Sequence, residues 1–283
     1  MLEIIECPRD AMQGIKRPIP ATVKIDYINA LLKAGFHTID FGSFVSPKAV
    51  PQMADTREVL SGLSFPEKRP KLLAIVANLR GAEEAASFDE INVIGYPFSV
   101  SETFQQRNTN AGIEESLKRT EAIAEAALSK DKELVIYLSM AFGNPYGDPW
   151  SPEITAGYAR QLYELFDVKI MALSDTVGSS EPNSIHQLFS QLIPEIPEVN
   201  FGAHLHTTAD AWEEKIHAAY EAGCRRFDGA LKGYGGCPMA ADDLTGNMPT
   251  EKMLQYFADR NIDDGVNRKA LASALLKAGA VFS

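Results

Sequence analysis

The chain has 283 residues, 45% of them hydrophobic and 23% charged, with a formal net charge of −11. That composition supports a large core in a globular protein, and the charge argues against nucleic acid or an anionic membrane as the main partner, although a local cluster can still receive an anionic small molecule. Three scattered cysteines, Cys7, Cys224 and Cys237, form neither a disulfide framework nor a CxxC knuckle and fit a reducing, cytoplasmic setting, and no apolar run approaches the roughly 20 residues of a membrane-spanning helix.

The first strand is expected at "LEIIEC", too close to Met1 for a leader peptide. "TVKIDYINALLKAG" follows with Val23, Ile25, Ile28, Leu31 and Leu32 on one helical stripe and Gly35 as its stop. Further strands are predicted at "HTIDF", "KLLAIVA", "EINVIGY" and "ELVIYLSM". The helix "SPEITAGYARQLYELF" has Ser151 as a cap and Pro152 in its first turn. Strands six and seven are "KIMALS" and "VNFGAHLH"; the helix "DAWEEKIHAAYEAG" stops at Gly223, and "RRFDGAL" is strand eight. "NRKALASALLKAGAVFS" reads as one more helix beside them. Eight strands alternating with helices, without a linker or composition shift, imply an α/β chain folded over residues 1–283 as a single (β/α)8 TIM barrel with an additional C-terminal helix. The rival, a doubly wound open sheet, has no GxGxxG or GxxxxGK[ST] fingerprint behind it.

The unusual polar residues fall at the C-terminal ends of the predicted strands, where barrel enzymes build their sites. Arg9 and Asp10 follow strand one, Asp40 and Ser43 end strand two, Asn78 follows strand three, and Ser174 and Asp175 follow strand six. His204 and His206 end strand seven, and the glycine-rich "GYGGCP" after strand eight leads to Asn247. Residues two apart on a strand share a face, so His204 and His206 can reach one cation. With Asp10 and Asn247 they make a set of two imidazoles, a carboxylate and an amide oxygen, which suits Mg²⁺ or Mn²⁺ with positions left for substrate oxygens; zinc is the other candidate. Cys237 lies beside glycines that let backbone approach a ligand, and its thiol is a candidate acid or base. The stretches "GAEEAA" and "AWEEK" are read as solvated helix faces, and the scattered aromatic residues as core.

Taken together, "ECPRDAMQ", "IDFGSFVSPKAVPQMAD", "LSDTVG", "AHLH" and "GGCPMA…TGNMPTE" resemble the 3-hydroxy-3-methylglutaryl-CoA lyase family, a branch of the metal-dependent TIM barrels that cleave or form carbon–carbon bonds. The resemblance runs from about residue 5 to residue 270 and keeps the motifs in order. It implies cleavage of the CoA thioester to acetyl-CoA and acetoacetate, with Asp10, His204, His206 and Asn247 as ligands of Mg²⁺ or Mn²⁺. Arg9 then stabilises the enolate, Cys237 transfers a proton, Asp175 lies beside the metal, and His204 belongs to the catalytic groups as well. The general base is open among Asp40, Asp175 and water. The implied partner is a small acyl-CoA or hydroxy-acid substrate, and the implied assembly a homo-oligomer, a dimer. The chain departs from the family pattern in having Asp40 for a glutamate, Thr207 for an aspartate, Ala11 for a glycine and Gly14 for an asparagine.

Overall fold

A computed structural model of the chain describes residues 2–236 and 245–282. Each of the eight apolar runs forms a strand: β1 (Glu3–Glu6), β2 (Thr38–Ser43), β3 (Lys71–Ile75), β4 (Ile91–Ser99), β5 (Glu133–Ser139), β6 (Ile170–Asp175), β7 (Asn200–Thr207) and β8 (Arg226–Gly229). Neighbours in sequence pair in parallel, and β8 pairs with β1, so the sheet closes into the TIM barrel that the alternation predicts. A ninth strand, β9 (Gly246–Asn247), adds antiparallel to β7. The helices are α1 (Pro8–Gln13), α2 (Ala21–Leu31), α3 (Thr56–Ser61), α4 (Leu79–Ala86), α5 (Glu102–Thr109), α6 (Ile113–Leu128), α7 (Pro152–Phe166), α8 (Pro182–Glu195), α9 (Trp212–Glu221), α10 (Thr250–Asp259) and α11 (Arg268–Phe282). None of the described helices is long and apolar enough to cross a membrane.

Strand alternation sorts the core into two layers. Leu73, Ile75, Val93, Val135, Tyr137 and Ala172 pack together inside the barrel, while Leu72, Ala74, Ile94, Ile136, Met171 and Leu173 join the larger cluster under the helices. Strands buried on both faces read as continuous apolar runs, which is why all eight are visible in the sequence. Ser151 caps α7 by accepting the Ile154 N–H at 3.3 Å, as expected. Asn78 does the same for α4 with the Gly81 N–H at 3.0 Å, which makes it a cap.

Two devices hold the catalytic end together. The register of β2 against β3 shifts between Asp40 and Gly42, a bulge that interrupts regular pairing where Asp40 is needed. Glu6, at the end of β1, is wholly buried; its carboxyl accepts the Leu231 N–H at 2.9 Å and the Thr250 hydroxyl at 2.6 Å, tying β1 to the segment after β8 and to the first turn of α10. Burial pushes the Glu6 carboxyl up to about 8 from its ordinary 4.5, against the pull of those two bonds. The folded state therefore keeps a proton that the unfolded chain loses, so stability falls as pH rises from about 4.5 to about 8 and then levels. Glu6→Gln mimics the protonated form and should flatten this dependence, with a gain over wild type that approaches a few kcal/mol at pH 8. Thermal melts at pH 5, 6.5 and 8 decide it, and parallel curves for the two proteins would refute the buried-proton account.

Candidate metal centre and active site

Pro8 starts α1 directly after β1, where the missing N–H costs nothing. This one-and-a-half-turn helix turns Arg9 and Asp10 over the barrel mouth. The Arg9 fork closes on Asp40: Nε lies 3.1 and 3.0 Å from the two carboxylate oxygens, and Nη2 lies 2.5 Å from Oδ2. Nη1 donates to Asp10 Oδ1 at 3.0 Å and to Gln13 Oε1 at 2.9 Å. A guanidinium has five N–H groups. Among the described residues these contacts engage four, leaving one Nη2–H free to meet a substrate oxygen. Arg9, Asp10 and Asp40 are all buried. Burial opposes the Arg9 charge, but Asp40 and Asp10 together raise its pKa above the ordinary value. Burial pushes Asp40 up to about 6 despite Arg9.

Asp10, His204 and His206 converge, with donor atoms all within 4.8 Å of one another. His206 Nδ1 donates to the Thr176 carbonyl at 3.0 Å, which fixes the tautomer and leaves Nε2 as a lone pair. That Nε2 is buried and has no hydrogen-bond partner among the described residues. An orphaned buried nitrogen carries a desolvation cost that a cation would remove, so the donor set fits a divalent ion. His204 Nδ1 is 3.1 Å from Asp228 Oδ2, which makes Nδ1 the donor and leaves Nε2 as the ring's lone pair in the neutral imidazole. Burial and the nearby His204 hold His206 below the ordinary imidazole range. For His204 burial acts in the same sense, but the bond to Asp228 and its charge raise the pKa. Burial also opposes ionisation of Asp10, yet Arg9 and the two imidazoles hold it below the carboxylate range.

Asn247 arrives on β9, directly opposite His206 in the antiparallel register. Its Nδ2 donates to Asp10 Oδ2 at 2.8 Å and to the Tyr234 carbonyl at 2.9 Å. Both partners are acceptors, so the amide orientation is forced and the carbonyl oxygen is the end available to a cation. Gly235 packs against this group with φ +85°: a Cβ there would stand 2.6 Å from Ala11 Cα and 2.9 Å from Asn247 Nδ2 and Asp10 O. Only glycine fits so close to the Ala11 backbone.

Asp175 ends β6, and its Oδ2 accepts from Lys215 Nζ at 2.9 Å, Ser180 Oγ at 2.5 Å and the Ser180 N–H at 3.1 Å. Lys215 also donates to the His206 carbonyl at 2.9 Å and the Gly178 carbonyl at 3.1 Å. Asp175 therefore lies beside the candidate ligand His206 while its charge is spent on fixing the turn that offers the Thr176 carbonyl to His206. Cys237 lies outside the described residues. Four contributors escaped the sequence reading: Gln13, which donates to Asp10 Oδ1 at 2.7 Å; Asp228; Arg226, 2.7 Å from Asp228 Oδ1; and Lys215. Lys215 corrects the reading of "AWEEK" as a solvated face, since Glu213 and Glu214 are exposed but Lys215 is buried. The i, i+2 spacing of Arg226 and Asp228 in "RFD" was the available signal, because it puts both charges on one face of a strand.

Gln13 also lines a cleft of about 360 Å³ whose wall includes Gly14, Ile15, Lys16, Pro51 and Gln52.

Among known proteins, the mitochondrial hydroxymethylglutaryl-CoA lyase of Rattus norvegicus is 35% identical over 277 residues, which cover 96% of this chain and 83% of that one. The 3-hydroxy-3-isohexenylglutaryl-CoA/hydroxymethylglutaryl-CoA lyase of Pseudomonas aeruginosa is 35% identical over 269 residues, 94% of this chain and 88% of its own. The crystal structure of the HMG-CoA lyase from Brucella melitensis superposes with a TM-score of 0.90 at 31% identity, covering 99% of this chain and 98% of that one. With the HMGL-like family model matching residues 3–276 and the barrel and relatives in agreement, the chain belongs to the HMGL-like family.

Proposed function

We propose that the chain is a divalent-metal-dependent carbon–carbon lyase that cleaves 3-hydroxy-3-methylglutaryl-CoA to acetyl-CoA and acetoacetate, with Mg²⁺ or Mn²⁺ as its cation. The carrying observation is the convergence of Asp10, His204 and the unpartnered His206 Nε2 beside a guanidinium with one free N–H. Asp10, His204, His206 and Asn247 would hold the ion, which when bound supplies Lewis acidity toward substrate oxygens.

The remaining roles fall to the protein. Arg9, pinned by Asp40, Asp10 and Gln13, needs no reorganisation to meet the negative charge that develops on the thioester oxygen as the bond breaks. Of the three candidates for the base, Asp175 is committed to Lys215 and Ser180. Asp40 is likewise held at both oxygens by Arg9 and its carboxyl is pushed up to about 6, so Asp40, Asp175 and water all stand as candidates to take the proton of the substrate hydroxyl. Cys237 is proposed as the donor that protonates the enolate carbon. Lys16 is a cation on the wall of the cleft, suited to an anionic substrate passing along it. A cytoplasmic location is proposed from the unpaired thiols Cys7 and Cys224, and a homodimer from the resemblance, to be checked by mass in solution.

Incubation of the purified protein with the thioester and Mg²⁺ or Mn²⁺ tests the reading. Acetyl-CoA and acetoacetate should appear in equal amounts and disappear on chelation. Turnover of a free hydroxy-keto acid without turnover of the thioester would instead establish an aldolase.

A further inference from the structure

Phe282, at the end of α11, stacks on Tyr234 with ring centroids 4.2 Å apart and an interplanar angle of 17°. It meets Tyr27 of α2 edge-on at 6.1 Å and 88°. Arg17 Nη2 donates to the neighbouring Val281 carbonyl at 2.5 Å, so the last turn of α11 is pinned to the segment between α1 and α2. Phe282 packs on Tyr234 and Tyr27 rather than on the proposed ligands. The connection to them runs through backbone: the Tyr234 carbonyl receives the Asn247 amide at 2.9 Å, and the same amide nitrogen donates to Asp10 at 2.8 Å.

The segment that carries Tyr234 has no slack. Gly235 lies so close to Ala11, Asp10 and Asn247 that a single added carbon would clash with all three, and a Cβ on Gly233 would stand 3.0 Å from the Asn247 carbonyl oxygen. A displacement of Tyr234 must therefore shift the carbonyl that orients Asn247 and the surface against which Asp10 rests. The aromatic stack is what sets Tyr234 from the other side.

We propose that Phe282 is a positioning residue of the metal centre, acting through Tyr234 on Asn247 and Asp10; this rests on the reading of Asp10, His204, His206 and Asn247 as ligands. Loss of the ring frees Tyr234, and the amide oxygen of Asn247 then spends part of its time misaligned. Removing partners that orient metal ligands typically costs 10–100-fold in affinity, and a contact one step further out belongs near the lower end, about 10-fold.

The test titrates Mn²⁺ into the metal-stripped full chain by calorimetry or electron paramagnetic resonance. Phe282→Ala should weaken Mn²⁺ binding about 10-fold, and Phe282→Trp should restore most of the loss. Leu271→Ala removes a buried side chain from the same helix and should lower the melting temperature while leaving Mn²⁺ affinity at the wild-type value. Unchanged affinity in Phe282→Ala, or an equal loss in Leu271→Ala, overturns the proposal and leaves the metal centre standing. Absence of any wild-type Mn²⁺ site that His206→Ala removes would overturn both.

Discussion

Arg9→Gln should lower turnover by about 10³-fold, at the upper end of what one preorganised oxyanion donor contributes, because it also releases the groups around it. Glutamine cannot reach Asp40 and Asp10 together, so two buried carboxylates lose the cation between them. Breaking a buried pair in this way costs roughly 3–5 kcal/mol of stability, and turnover must be measured well below the lowered melting temperature. Arg9→Lys separates the two effects: it returns a positive charge for the carboxylates but not the planar fork or its spare N–H. It should recover much of the melting temperature and little of the turnover. Cys237→Ser is the useful contrast, since a lost proton donor is worth roughly 10²–10⁴-fold in rate without removing the arginine that pairs with Asp10 and Asp40. If Arg9→Gln turns over within tenfold of wild type, the arginine is a structural bridge and no more.

His206→Ala should abolish metal-dependent stabilisation along with activity. A cation that binds only the folded chain at 100 times its dissociation constant adds about 2.7 kcal/mol, which is a melting shift of roughly 5 °C for a chain of this size. The alanine variant should show none of that shift. Its metal-free form loses the bond from Nδ1 to the Thr176 carbonyl and some packing, but Nε2 had no partner to lose. Differential scanning with and without Mn²⁺ reads both quantities on one sample. An intact metal shift in His206→Ala would remove His206 from the ligand set.

The barrel was legible because buried parallel strands need apolar residues on both faces, and the HxH pair was legible because strand geometry leaves those imidazoles no choice but to share a face. The six residues of α1 were not: one and a half turns are too short to display a helical period. Nor was β9, whose two residues carry no alternation of their own and form a strand only because β7 offers them an edge. The charged groups inside the mouth were harder still. Arg226 and Lys215 look like surface residues by type; the i, i+2 spacing to Asp228 is the one sequence signal for Arg226, whereas only the fold brings Asp175 to Lys215.

The bond from Asn247 to Asp10 joins residues 237 positions apart. Every chain growing from its N-terminus therefore displays the Arg9–Asp10 pair long before the amide that completes the set exists. An unfinished chain can build successive strands, but β1 waits for β8, and the cation waits for both. Such long-range closure slows folding, and if Asp10, His204, His206 and Asn247 hold the proposed cation, their set is complete only once the barrel has closed. On that reading the cation would bind after closure, and its effect should show chiefly in how slowly the finished barrel reopens.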